Sequence, residues 1–287
     1  MALQPLDLKW ALTAHLPPLD FVLPGLPPGS LGLMVAPGAT GKSTLALDFG
    51  ISLALGRPIA GGLFTPSPPG KVIVLAGEES ERMLAERIRS LLTLDEQGMA
   101  VLYDHLILLP MAGNSCALLA DGRPTGLYDE LVSIGHGARL VIVDPVRRLH
   151  GGDENNSADM TKFVVAMEGL AKLTGAALLG IHHANRASAA DASSQNAARG
   201  SSALVDGARW QINLSRMDEK TAESLQVSDA ERPLYVAVDF AKTNYLAPRP
   251  RCWLKRQPGG RLMLTTLNPR KPNPSAKMLG GARTLTS

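Results

Sequence analysis

The residues best suited to chemistry lie between Leu31 and Thr44. The stretch reads Leu-Gly-Leu-Met-Val-Ala-Pro-Gly-Ala-Thr-Gly-Lys-Ser-Thr: an apolar run, a glycine-bearing turn, then Lys42 and Ser43 opening a helical pattern. This is the order of a phosphate-binding P-loop. Backbone N–H groups from Gly38 to Lys42 would cradle the β-phosphate at a helix N-terminus. Lys42 would reach the β- and γ-phosphates, and the Ser43 hydroxyl would ligate Mg²⁺. Pro37, Gly38, Ala39, Thr40, Gly41, Lys42, Ser43 and Thr44 are therefore the candidate nucleotide-binding residues, with ATP and Mg²⁺ as cofactors. One departure stands out, since Ala36 occupies the place of the usual first glycine; Gly38 can relieve the turn.

Two further acids fit the same site. Leu140-Val-Ile-Val-Asp144 is an apolar strand ending in a carboxylate, the pattern of a Walker B strand whose Asp144 holds the Mg²⁺ shell. The strand ending at Ala76 runs into Gly77-Glu78-Glu79-Ser80. An acid at the tip of the strand after the P-loop helix lies beside the γ-phosphate in a parallel sheet, where it can deprotonate an attacking water. Glu78 is the candidate base. Glu79 is expected to cap the following helix with help from Ser80.

Apolar runs at Leu31–Ala36, Lys71–Ala76, His105–Leu109, Leu140–Val143 and Ala177–Ile181 read as strands. Segments of helical spacing alternate with them at Lys42–Leu55, Glu81–Leu92, Leu127–Ile134 and Asp159–Leu173. Near-continuous apolar strands imply burial on both faces, hence an α/β fold with a mostly parallel sheet between helices. After Arg199 the pattern predicts strands over Ala203–Leu214, Leu234–Phe240, Arg251–Leu254 and Arg261–Thr265, the last two a hairpin through Pro258-Gly259-Gly260. Residues 1–29 read as an N-terminal arm with a short helix near Leu6–Thr13. Residues 30–267 form the main domain, and residues 268–287 a basic, disordered tail.

Composition narrows the class. With 287 residues, 45% hydrophobic and 19% charged, the chain has enough apolar content for a sizeable core and is not a solvated coil. No apolar run approaches a membrane span and no export signal is visible, so a cytoplasmic location without membrane contact is expected. Two distant cysteines, Cys116 and Cys252, suggest neither a disulfide framework nor a zinc site. Charge is asymmetric. All 26 acids lie at or before Asp239, whereas ten Lys or Arg and no acid follow Ala241, which suggests contact with phosphates.

The Glu after the second strand, Asp144, and the strand ending Gly180-Ile-His-His-Ala-Asn-Arg186 together resemble the RecA-like, DnaB-type ATPases. A closer resemblance is to the RepA-type hexameric replicative helicases of IncQ plasmids. It is carried by Pro17–Pro24, Pro37–Ser43, Asp144–His150, His182–Ala184, Ala198–Asp206 with Arg209–Gln211, and Ala241–Pro248, in order along residues 17–265. The resemblance implies a RecA-like ATPase ring with nucleotide at subunit interfaces, acting on single-stranded DNA at a replication fork. A plasmid initiator or primase is implied as a further partner. It assigns Glu78 as catalytic base, His183 as γ-phosphate sensor with His182 the alternative, and Arg87 and Tyr245 as the two faces of an adenine slot. Arg209 and Lys242 become the basic fingers reaching a neighbour's nucleotide.

The same resemblance turns His150–Ala158 and Asn185–Arg199 toward a central channel. Arg186 and Arg199 are then the candidate DNA-binding residues, gripping backbone rather than stacking bases. Arg147 and Arg148 are further candidates for DNA or interface contacts. Residues 1–29 are too few for the primase-binding domain of DnaB. Two other readings share these motifs: a RecA- or KaiC-like ATPase of recombination or signalling, and a nucleotide-gated DNA-binding regulator without unwinding. Lys42, Glu78 and Asp144 together argue against the second.

Overall fold

The computed structural model describes residues 3–65, 67–93, 95–184, 194–198, 200 and 202–267. The expected apolar runs become strands β1 (Leu31–Ala36), β2 (Val72–Ala76), β3 (Leu106–Pro110), β6 (Leu140–Asp144) and β7 (Ala177–His183). Helices α2 (Lys42–Ala54), α3 (Glu81–Leu91), α5 (Gly126–Gly135) and α6 (Ser157–Thr174) connect them. Their termini are chemically marked. The Asn156 side chain accepts from the amides of Ala158 and Asp159, and Gly175 ends α6 in the left-handed region.

Beyond β7 come α7 (Ala203–Gly207), β8 (Trp210–Arg216), α8 (Glu219–Leu225), β9 (Tyr235–Thr243), β10 (Cys252–Arg256) and β11 (Leu262–Thr265). The described strands form a nine-stranded sheet in the order β11-β10-β9-β8-β1-β7-β6-β2-β3. Pairing is parallel from β3 through β8 and antiparallel from β8 to β11. The mixed sheet is thus as expected, parallel first and antiparallel at the C-terminal side. A separate small hairpin joins β4 (Leu119–Ala120) to β5 (Arg123–Pro124).

Alternation along each strand builds two cores. Met34, Val74, Ile142 and Leu179 face α2, while Val35, Leu75, Val143 and Leu178 face α5 and α6. Helix α2 lies so deep that all residues from Thr44 to Ala54 are buried, Asp48 included. That carboxylate accepts from the Ala60 amide at 3.0 Å and pairs with Arg261 at 2.9 Å. Burial is the largest influence on it and pushes its pKa up in spite of these partners.

Three expectations change. Ala203–Gly207 is a helical turn rather than the start of a strand, because Leu204 and Val205 sink into the core beside α6. A short apolar run looks the same in either conformation. Helices α4 (Glu96–His105) and α8, capped by Asp95 and Asp218, were not visible in the apolar spacing. The arm is also shorter than residues 1–29. Val22, Leu23 and Leu26 are fully buried, Trp210 Nε1 donates to the Pro24 carbonyl at 3.0 Å, and Asp20 pairs with Arg139. Only the stretch through Leu19, with α1 (Leu8–Thr13) and no buried residue on that helix, stands clear. Residues 268–287, expected to be disordered, lie outside the described residues. No helix among the described residues is long and apolar enough to cross a membrane.

Candidate nucleotide site

Strand register gathers the candidates. Ala76 pairs with Asp144 across β2 and β6, and Ala36 pairs with His183 across β1 and β7. The C-terminal ends of four parallel strands therefore meet at one edge of the sheet, where open α/β sheets bind ligands. The edge carries the turn from Pro37 to Gly41, the Gly77–Ser80 turn, Asp144 and His183. Alternation also separates the two histidines. His183 shares the α2 face with Ile181 and Leu179, whereas His182 points to the opposite face and is buried.

The turn has the conformation a phosphate cradle requires. Ala39 and Gly41 both have positive φ, 57° and 100°. Thr40 is buried and its hydroxyl donates to the Pro37 carbonyl at 2.9 Å. Gly41 is the N-cap of α2 without a side chain to cap it, so the first amides of that helix remain available. Behind them, Ser43 and Asp144 line one small pocket with Glu79 and Arg87. Burial raises the Asp144 pKa; Ser43 and Lys42 pull it back, and Glu78 and Glu79 push it up again. A hydroxyl and clustered carboxylates are the hard oxygen donors Mg²⁺ prefers. One of them is plainly unfinished, since Glu79 Oε2 is buried without a hydrogen-bond partner. Orphan amides and an under-satisfied carboxylate fit a Mg²⁺–nucleotide.

Glu78 is exposed, and its charge acts on both Asp144 and His183. His183 is half-buried. Burial first, then the Lys42 charge, hold its pKa below the ordinary value, which favours a neutral imidazole. Glu79 departs from expectation. Ser80 caps α3, accepting from the Met83 amide, while Glu79 pairs with Arg87 at 2.5 Å. Arg87 also donates to Thr44 Oγ1 at 2.7 Å, so its guanidinium is turned into the site wall.

Arg209, Lys242 and Tyr245 sit at the other end of the sheet. Trp210 pairs with Gly32, and the Arg209 amide donates to the Leu31 carbonyl. Arg209 is thus level with the start of β1, five residues from Ala36, or about 17 Å at ~3.3 Å per residue. It lines an open hollow of about 480 Å³ with Lys172 and Glu168. Lys242 is not the free cation expected of a finger. Its ammonium donates to the Val205 and Asp206 carbonyls at 2.8 and 3.3 Å, and desolvation lowers its pKa. Tyr245 lies past the end of β9, its ring 6.4 Å from Phe21. A single chain therefore does not bring Arg87 and Tyr245 around one adenine. Arg186 and Arg199 lie outside the described residues, although the Ala184–Ala198 bridge joins the ends of their segment.

Two contacts had no signal in the sequence. Arg216, at the end of β8, donates to the Gly38 carbonyl at 2.7 Å, and Arg256, at the end of β10, to the Thr40 carbonyl at 2.8 Å. The described part of the C-terminal basic strip also makes contacts within the chain. Arg251 grips Asp239, Arg261 grips Asp48, Lys255 pairs with Glu231, and Arg249 lies over the Phe240 ring. With Lys242 and Arg256, all six basic residues of that strip among the described residues have protein partners; its other four cations lie outside the described residues.

A family model described as "AAA domain" (AAA_25) matches residues 1–189. The match spans the P-loop, the Gly77–Ser80 turn, Asp144 and His183, and ends before Arg209, Arg216, Lys242 and Arg256.

Proposed function

The chain belongs to the AAA-domain family of P-loop ATPases, and from that premise we propose that it is a ring-forming DNA helicase of the RepA-type, hexameric plasmid class. The family implies ATP binding, typically with Mg²⁺, and supports hydrolysis. The observation that carries the finer reading is the split site. Phosphate, metal and water-activating groups converge at one end of the sheet, while Arg209 stands about 17 Å away at the other. An arginine so placed can serve a nucleotide only on another copy, which ties turnover to assembly.

Within one subunit the roles divide by position. Gly38 to Ser43 bind the phosphates, Lys42 neutralises their charge, and Ser43 and Asp144 would hold Mg²⁺. That ion, when bound, polarises the γ-phosphate and screens its charge. Glu78, the exposed carboxylate, takes the proton of the attacking water, leaving Glu79 to its pair with Arg87. Neutral His183 hydrogen-bonds the phosphate edge and reports its loss to the chain beyond β7, where Arg186 is the DNA-binding candidate. The protruding arm supports assembly, because Leu3, Leu6, Leu8, Trp10, Leu12, Leu16 and Leu19 are all exposed. An apolar surface of that kind calls for a partner.

The test is ATP-driven opening of a forked duplex, run beside Lys42→Ala and Glu78→Gln, with native mass spectrometry at two protein concentrations. The helicase reading expects strand separation by rings of the wild type and none by either variant. ATP-dependent DNA binding without strand separation would replace it with a nucleotide-gated DNA-binding switch.

A further inference from the structure

The nucleotide turn is held from outside by two arginines of the C-terminal strands. Both act on carbonyls that immediately precede a residue of positive φ. Arg216 Nη2 holds the Gly38 oxygen at 2.7 Å, and the next residue is Ala39 at φ 57°. Arg256 Nη2 holds the Thr40 oxygen at 2.8 Å, and the next residue is Gly41 at φ 100°. A trans peptide is planar, with its C=O and N–H pointing opposite ways. Fixing the Gly38 oxygen on a guanidinium therefore turns the Ala39 N–H away from it, and fixing Thr40 does the same for Gly41. Among the described residues neither amide has a hydrogen-bond acceptor of its own.

Left-handed backbone at Ala39 is costly for a residue with a Cβ, and a short turn does not hold such strain unaided. The two cations also lie against the loop that must receive a polyphosphate. At Gly41 the fit is close: a Cβ there would lie 3.1 Å from Arg256 Nη1 and 3.2 Å from Nη2. The clamp reaches deeper through neighbours, since Arg261, just beyond the Pro258–Gly260 turn, pairs with buried Asp48 of the P-loop helix. Neither arginine falls within the residues that the family match covers.

We infer that Arg216 and Arg256 are positioning residues that pre-aim the Ala39 and Gly41 amides at the nucleotide phosphates. The inference rests on the nucleotide reading of this loop. A preformed cradle spends less binding energy on ordering itself, so the effect is on affinity in the ground state more than on the chemical step.

The probe is N-methylanthraniloyl-ADP with Mg²⁺, titrated into the full chain and followed by fluorescence, beside steady-state ATP turnover. Arg216→Gln and Arg256→Gln should each raise the Kd about tenfold and raise KM similarly, with kcat kept within about threefold. Arg256→Lys, which restores a cationic donor, should recover part of that loss. A residue that merely stabilised the fold would lower the melting temperature without this split. Arg216 is exposed, so its variant should fold even if Arg256→Gln does not. Wild-type binding that Lys42→Ala removes, with Arg216→Gln and Arg256→Gln both at wild-type affinity, would overturn the inference and leave the nucleotide site standing. A wild-type chain that binds no nucleotide would overturn both.

Discussion

Replacing Arg209 with alanine separates a site completed by a neighbour from one contained in a single chain. The side chain begins about 17 Å from the end of β1, a distance no arginine spans, so nucleotide affinity of the isolated subunit should not change. Turnover in the assembled state should fall, because a preorganised cation facing the transferring phosphoryl contributes about 3–4 kcal/mol, or a hundredfold to a thousandfold in rate. Lys42→Ala should instead abolish both binding and turnover. The assay is steady-state phosphate release at saturating ATP with single-stranded DNA, beside mant-ADP titration at a dilution that favours single subunits. Mixing the two inactive variants adds a second signature. If neighbours exchange freely and sites act independently, about one interface in four joins an intact Lys42 to an intact Arg209 and regains activity. Turnover of Arg209→Ala within threefold of wild type would refute the assignment, as would loss of nucleotide affinity in the dilute subunit.

Other outcomes follow from the same geometry. Glu78→Gln should lower turnover at least about a hundredfold with nucleotide still bound, whereas Glu79→Gln, which loosens Arg87, should act mainly on affinity; comparing kcat with Kd in each decides. Gly41→Ala combines a left-handed residue with a Cβ pressed on Arg256, so calorimetry should detect no Mg²⁺–ADP binding by a chain that remains folded. Arg261→Met leaves Asp48 buried without its cation and should cost about 3 kcal/mol by urea unfolding at neutral pH. Burial already raises the Asp48 pKa, so the folded state holds that proton more tightly and the cost should shrink as acid protonates the carboxyl. His183 has the opposite sign. Its folded pKa is lowered from 6.5, so its share of stability is complete above 6.5 and fades as pH falls through the depressed value. His183→Asn should flatten that part of the pH–stability curve.

Much of the candidate nucleotide site was legible because its parts are local. A strand, a glycine turn and Lys42-Ser43 occupy thirteen consecutive residues, and the Asp144 strand advertises itself by an apolar run ending in a charge. The alternation of apolar runs with helical spacing likewise fixed the parallel half of the sheet, since periodicity reports which faces are buried. What the chain brings together from a distance left no such mark. Arg216 and Arg256 reach Gly38 and Thr40 across 178 and 216 residues of sequence. In one dimension they were two more members of a charged surface.

Only the folded sheet decided that the C-terminal cations among the described residues meet Asp239, Asp48 and loop carbonyls. Strand direction decided just as firmly that Arg209 and Tyr245 lie at the end opposite the P-loop. The reason is physical: residue type and spacing specify what a side chain can do within a turn or a strand, because backbone geometry there is nearly constant. Which distant groups meet depends on strand order and register, and those are settled by burial of both sheet faces at once.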